Sequence, residues 1–281
     1  MAALSLESRS DEVVYMIDNP QDNSGIPFDT SFAAALADRE AFEVNQEVED
    51  SLGGVDFGAG ASARGISPRP YDMIVRHETG GRNYYEKVYG GRPVWPGEAS
   101  GVTIGFGYDL GYVTEDQFRT DWNLLGQQAI AALLPCVGKH GGNTSDDDLK
   151  RLVAGLKGIV IPWEQGELVF KAVTVPRFSL LTSKSLDNCD ALPDDCFGVL
   201  VSLTFNRGAS YGIPWNKAKD PIDRYREMRA IKADMATRNF GSIPQQIRAM
   251  ERIWKGKTIE TEMTKRREEE AAMFEAGLKA V

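Results

Sequence analysis

The sequence predicts an α+β fold, mainly α, with a small β-hairpin or sheet lobe beside a larger helical lobe built around a buried central helix. Three observations predict it. Capped segments with apolar residues at helical spacing recur along the chain. One Gly-rich, aromatic stretch, 79–112, alternates short apolar runs with turn residues. The segment 194–206, DDCFGVLVSLTFN, is apolar on almost every side, as expected of a helix threaded through a domain interior.

The elements follow in chain order. Pro68 and Pro70 open a helix through YDMIVRHE, with Tyr71, Ile74 and Val75 on its inner stripe and Glu78 next on that stripe. The stretch 79–112 follows as a twisted hairpin or three-stranded sheet. Thr114 and Gln117 form a capping box for an amphipathic helix bearing Phe118, Trp122, Leu125, Ala129 and Leu133. Ser145 with Asp148 starts another helix; the acidic run 146–148 suits a first helical turn better than a metal site. A helix is expected around 162–174, then the buried helix. Three more follow, carrying Met228 and Ile231, then Ile247 and Met250, then Met263 and Phe274. A short helix around 30–48 precedes all of these.

Composition limits the function classes. Hydrophobic residues are 42% and charged residues 26% of 281, ordinary for a globular protein large enough to bury a core. No apolar run reaches transmembrane length, and no conventional signal peptide is present. The net charge of −9 is uneven. Residues 1–65 hold 13 acids and 3 bases; the remainder holds 28 and 29. The remainder carries no basic stripe interleaved with aromatics, which argues against nucleic acid. Residues 1–66 therefore divide off as an acidic segment with a Gly/Ala/Ser-rich linker, a candidate delivery or partner-binding arm, from a domain at 67–281. Cys136, Cys189 and Cys196 have no metal-ligand spacing; Cys189 and Cys196 pair only in an oxidising compartment, and free thiols are the plainer reading. His77 and His140 read as structural or surface residues.

Glu78 is the candidate for chemistry. A carboxyl sheltered on an apolar stripe can hold a proton near neutral pH and serve as a glycosidase acid. The competing reading is a Glu in a core ion pair with an arginine such as Arg76, Arg82 or Arg207.

The segment Val102-Thr103-Ile104-Gly105-Phe106-Gly107-Tyr108-Asp109 resembles the T-I-G-x-G strand of phage lysozymes, glycoside hydrolase family 24. Val201 to Gly208, ending Phe205-Asn206-Arg207-Gly208, resembles the family's buried helix end. Lys265-Arg266-Arg267 through Phe274 resembles its closing helix. The resemblance covers 67–281, except that 136–192 is longer than the family leads one to expect. Tyr108 stands where family members commonly have His, and the acid usually found before the Thr is absent, with only Glu98 near that place. Asp109, after the Thr, follows the order in the lysozyme-like domain of pesticin and related bacterial toxins. The resemblance implies a lysozyme-like fold and an inverting N-acetylmuramidase without a cofactor or metal, acting on peptidoglycan glycan strands. Glu78 would be the acid, with Thr103 and Asp109 placing the water and Glu98 the fallback carboxylate. The two carboxyl groups of such a pair stand roughly 6.5–9.5 Å apart. Such a protein is a phage lytic or tail enzyme or a secreted antibacterial effector, reaching the wall by phage or a secretion system, and a toxin needs an immunity protein. Tyr84, Tyr85, Tyr89 and Trp95 are candidate sugar-stacking residues or lobe packing. Asn206 and Arg207 either border the cleft or cap their helix. An inactive lysozyme-fold binding or structural protein, and a glycosidase acting on chitin, remain the alternatives.

Overall fold

The computed structural model describes residues 64–97, 100–257 and 259–280. The expected helix at 30–48, most of the acidic segment and Glu98 lie outside the described residues. The described chain is mainly helical with one two-stranded antiparallel sheet.

Helix α1 is Pro68–Thr79, begun by prolines and ended by Gly80 at φ 74°. A left-handed cap of this kind is where glycine has least to lose. Strands β1 (Thr103–Ile104) and β2 (Tyr108–Asp109) form a hairpin in which Thr103 faces Asp109 and Ile104 faces Tyr108. Val94 adds a bridge to Thr103. Helices α2 (Glu115–Asp121), α3 (Gln127–Leu133) and α4 (Asp146–Gly155) follow. Then come α5 (Trp163–Val169), α6 (Val175–Ser185) and α7 (Asp194–Arg207). Helices α8 (Arg226–Ala236), α9 (Ile243–Ala249) and α10 (Glu260–Lys279) close the described chain.

Three expectations need correction. The hairpin occupies less of 79–112 than expected: Arg82–Tyr84 is a helical turn running into a π-helical turn, Tyr85–Tyr89. Aromatic and Gly content signalled strand, but Tyr85 and Tyr89 stack at 5.3 Å across one helical turn instead. The single helix expected from Phe118 to Leu133 is two, α2 and α3. Asn123 turns its amide back to the Thr120 carbonyl at 2.9 Å, and Gly126 precedes α3. Phe118, Trp122, Leu125 and Leu133 are buried nonetheless, so the apolar spacing located the core but not the break. The helix at 162–174 runs on to Ser185 through a π-helical turn, Phe170–Thr174. That turn lies just before Pro176, which has no N–H to give to the α-helical ladder.

The caps behave as their residues dictate. The Thr114 and Ser145 hydroxyls each accept from the backbone N–H three residues on, at 3.2 Å.

Helix α7 is the axis of the larger core. Phe197, Leu200, Val201 and Leu203 pack with Leu181 of α6, Met228 and Ile231 of α8, Ile247 of α9, Phe274 of α10 and Met73 of α1. Pro70 presses on α7 so closely that a Cβ on Gly198 would stand 2.2 Å from its Cγ. A second core joins Val102, Ile104, Tyr108 and Leu110 of the hairpin region to Phe118, Trp122, Ile130, Leu133, Leu156 and Ile161. An aromatic cluster of Tyr85, Phe106, Trp163 and Phe170 packs with Ile74 and Val75 of α1. Residues 136–192 supply both large cores, Leu156 and Ile161 to one and Phe178 and Leu181 to the other.

Candidate functional site

Glu78 sits in the last turn of α1 and is 4% exposed. Its Oε1 accepts from Arg266 Nη1 at 2.8 Å. Its Oε2 faces the hairpin turn, where a Cβ on Gly107 would stand 3.9 Å away. Gly107 has φ 82°, and the same Cβ would touch the Phe205 ring at 3.4 Å. The turn thus fits between the end of α1 and the end of α7.

Thr103 and Asp109 are cross-strand partners in that hairpin, and both are buried. The backbone of Thr103 also exchanges two hydrogen bonds with Val94, at 2.7 and 3.0 Å. The Asp109 carboxylate accepts from Gly101 N at 3.1 Å through both oxygens and from Gly111 N at 2.8 Å. A Cβ on Gly101 would lie 2.5 Å from Asp109 Oδ1, so the strand can approach only as glycine. Asp109 therefore buckles the backbone at Gly101 to the backbone at Gly111. Tyr108 donates to Asp121 Oδ2 at 2.7 Å and packs edge-on to Trp122. Its side chain belongs to the small-lobe core, and burial raises its pKa.

Glu78 heads a buried charge network. Arg266 reaches Glu270 at 3.3 Å as well as Glu78, and Arg267 reaches Glu270 at 3.1 Å. Ser202 of α7 donates to Glu270 at 2.7 Å, and Asn206 accepts from Arg267 at 2.9 Å. Two carboxylates face two guanidiniums, so the cluster is neutral overall. Burial works against the charge on Arg266, yet Glu78 and Glu270 together raise its pKa above the ordinary arginine value. Above this layer, His77 Nε2 lies 2.9 Å from Glu269, which also takes Arg76 at 3.0 Å. The His77 hydrogen bond, and then Arg76, hold the Glu269 carboxyl at about 2, although burial opposes them. Burial pushes the pKa of His77 down.

The core ion pair at Glu78 is real, but its arginine is none of those expected. Arg76 serves Glu269, Arg82 serves Glu86 and Glu164, and Arg207 donates to the Arg224 carbonyl at 3.1 Å. Arg266, Glu270 and Ser202 lie in the two C-terminal stretches that resemble phage lysozymes, yet sequence reasoning gave them no place at the site. The i, i+4 spacing of Arg266 and Glu270 on one helix face was the signal that could have found two of them.

The expected sugar-binding residues divide differently. Tyr85 is 1% exposed, donates to the Ile161 carbonyl at 2.9 Å and packs edge-on to Phe106 and Trp163. Tyr84 is buried too. Neither ring is open at the surface, which corrects their candidacy as sugar platforms. Trp95 is half-buried; it donates to the Ser100 carbonyl at 2.9 Å, and the Lys150 ammonium lies 5.6 Å from its ring centroid. Asn206 anchors Arg267, and the Arg207 guanidinium lies near the Tyr225 and Trp254 rings at 5.6 and 5.4 Å. These contacts tie the end of α7 to its surroundings.

A cavity of about 570 Å³ lies by Cys136, Asp148 and Leu156, and one of about 440 Å³ by Tyr71, Lys171 and Ser179. Glu78, Thr103 and Asp109 line neither. Among the described residues no cluster of His, Cys, Asp or Glu is placed to hold a metal ion, and no helix is long and apolar enough to cross a membrane. Comparison of the chain with protein-family models, curated proteins and solved structures returns no match.

Proposed function

We propose that the chain is a lysozyme-like peptidoglycan hydrolase, an N-acetylmuramidase that cleaves the β-1,4 bond from N-acetylmuramic acid to N-acetylglucosamine. One observation carries the reading: the hairpin that pairs Thr103 with Asp109 brings its turn residue Gly107 against Glu78. Glu78 protonates the leaving glycosidic oxygen. To carry that proton Glu78 loosens its bond to Arg266. Glu270 and Ser202 continue to hold the guanidinium, so it does not follow. Thr103 places the attacking water, and Asp109, which fixes the strand that carries Thr103, accepts the proton that the water gives up. Attack from the opposite face inverts the anomeric carbon. The wall is reached by phage or a secretion system, with residues 1–66 as the delivery or partner-binding arm.

A second reading is favoured by the Glu78–Arg266 pair itself. A buried carboxylate fully matched by a guanidinium suits a lysozyme-type scaffold that binds wall material without cutting it. Digestion of purified sacculi, followed by mass spectrometry of the products, separates the two. Reducing muramic ends that disappear in Glu78→Gln support the hydrolase, and intact sacculi with the parent protein favour the binder. Activity on chitin in place of sacculi would move the substrate assignment to another glycan.

A further inference from the structure

The loop between α7 and α8 combines tight anchorage with an exposed apolar tip. Arg229 donates to the Ile213 carbonyl at 2.9 Å and grips both Asp223 oxygens at 2.8 and 2.7 Å. Arg252 donates to the Ile222 and Asp223 carbonyls, each at 2.5 Å. Arg207, at the end of α7, takes the Arg224 carbonyl. Inside the loop, Asn216 accepts from Ala218 N at 3.1 Å, and Asp220 accepts from Arg224 N at 2.6 Å. So many fixed backbone groups leave the loop little freedom.

What it presents is unlike the surface of a solvated loop. Trp215 is 51% exposed and Ile222 44% exposed. The Trp215 indole N–H is already given to the Asp220 carbonyl at 2.9 Å, which fixes the plane of the ring and leaves its apolar face to offer. Lys217 and Lys219 follow at two-residue spacing, both exposed. An aromatic plate held rigid before binding loses little entropy when it docks. A flat apolar face on a loop that also exposes two lysines matches a polymer that alternates pyranose rings with carboxylate-bearing peptides.

We propose that the 213–224 loop docks a peptidoglycan strand, with Trp215 stacked on a sugar ring and Lys217 and Lys219 against stem-peptide carboxylates. The inference takes its substrate from the function proposed above but does not need bond cleavage. Trp215 is here a binding residue and takes no part in the chemistry.

Co-sedimentation of the full chain with purified sacculi, stripped of accessory anionic polymers, tests it. Trp215→Ala should bind about tenfold more weakly than the parent protein, and Trp215→Phe should keep most of the affinity. Lys217→Ala with Lys219→Ala should weaken binding several-fold at low salt and less at high salt. Removing the stem peptides with an amidase should abolish that lysine effect and leave the Trp215 effect. Parent-like binding by Trp215→Ala, with an unchanged melting temperature, overturns the proposal. So does Trp215-dependent binding to anionic lipid vesicles in place of sacculi, or failure of the parent protein to sediment with sacculi. Sedimentation that depends on Trp215 without digestion would sink the hydrolase and leave the loop assignment standing. Digestion with Trp215-independent binding would do the reverse.

Discussion

Glu78 and Asp109 are both buried carboxylates, and what holds each one separates their expected behaviour. Glu78 is held by one side chain, Arg266, and faces a turn with its other oxygen. Asp109 is held by backbone N–H groups on two sides. Glu78→Gln should keep the fold and abolish sacculus digestion, read as loss of released muropeptides. Asp109→Asn turns an amide donor toward Gly101 or Gly111, and a mismatched buried donor costs about 1–3 kcal/mol. It should therefore lower the denaturation midpoint as well as activity; an unchanged midpoint would return Asp109 to a purely chemical role. Arg266→Ala leaves Glu78 charged without its guanidinium, and breaking a buried pair costs about 3–5 kcal/mol. Glu269 gives a pH prediction. Its carboxyl is lowered from 4.5 to about 2, so its stabilising effect is present above pH 4.5 and lost as pH falls towards 2. His77, lowered from 6.5, acts in the same sense, since the unfolded chain takes up its proton first as pH falls. Acid melts of Glu269→Gln should show a shallower loss over the 4.5 to 2 window than the parent protein.

At the scale of elements, α7 and the hairpin mark what the sequence discloses and what it withholds. The apolar run 194–206 and its closing Gly208 announce a buried helix, because no other element hides apolar groups on every side. The hairpin around Thr103 was legible from its glycines and alternation. The π-helical turn at Tyr85–Tyr89 was not, since aromatics favour strands by local propensity and the helical choice came from tertiary packing on Phe106 and Trp163. Of the site, Glu78 and its place beside the hairpin were readable from periodicity and motif order. Its arginine was not, because Arg266 lies 188 residues away and long-range pairing leaves little trace in one sequence. Gly198 offers the sharpest element-level test. A Cβ there would meet Pro70 at 2.2 Å, against a proline ring with no rotamer to escape into. Gly198→Ala should push α1 from α7 and destabilise by about 1–3 kcal/mol, measured by chemical denaturation. Since α1 carries Glu78, activity should fall further than stability.

For the whole molecule, three free cysteines are all buried, and burial holds the thiols at about 11 to 12. Thiolate is the reactive form. Native protein should therefore label slowly with thiol reagents, quickly once unfolded, and melt at the same temperature with or without reductant. A reductant-sensitive melt would show a disulfide. The pairing of Glu78 with Arg266 also bears on biosynthesis. A ribosome that has just released the first helix holds a lone acid whose counterpart is encoded 188 codons downstream. Any product cut short before that codon lacks the cation that settles the acid in the interior. Nonsense mutations late in the reading frame should accordingly behave as early ones do, giving protein that is degraded and not merely inactive.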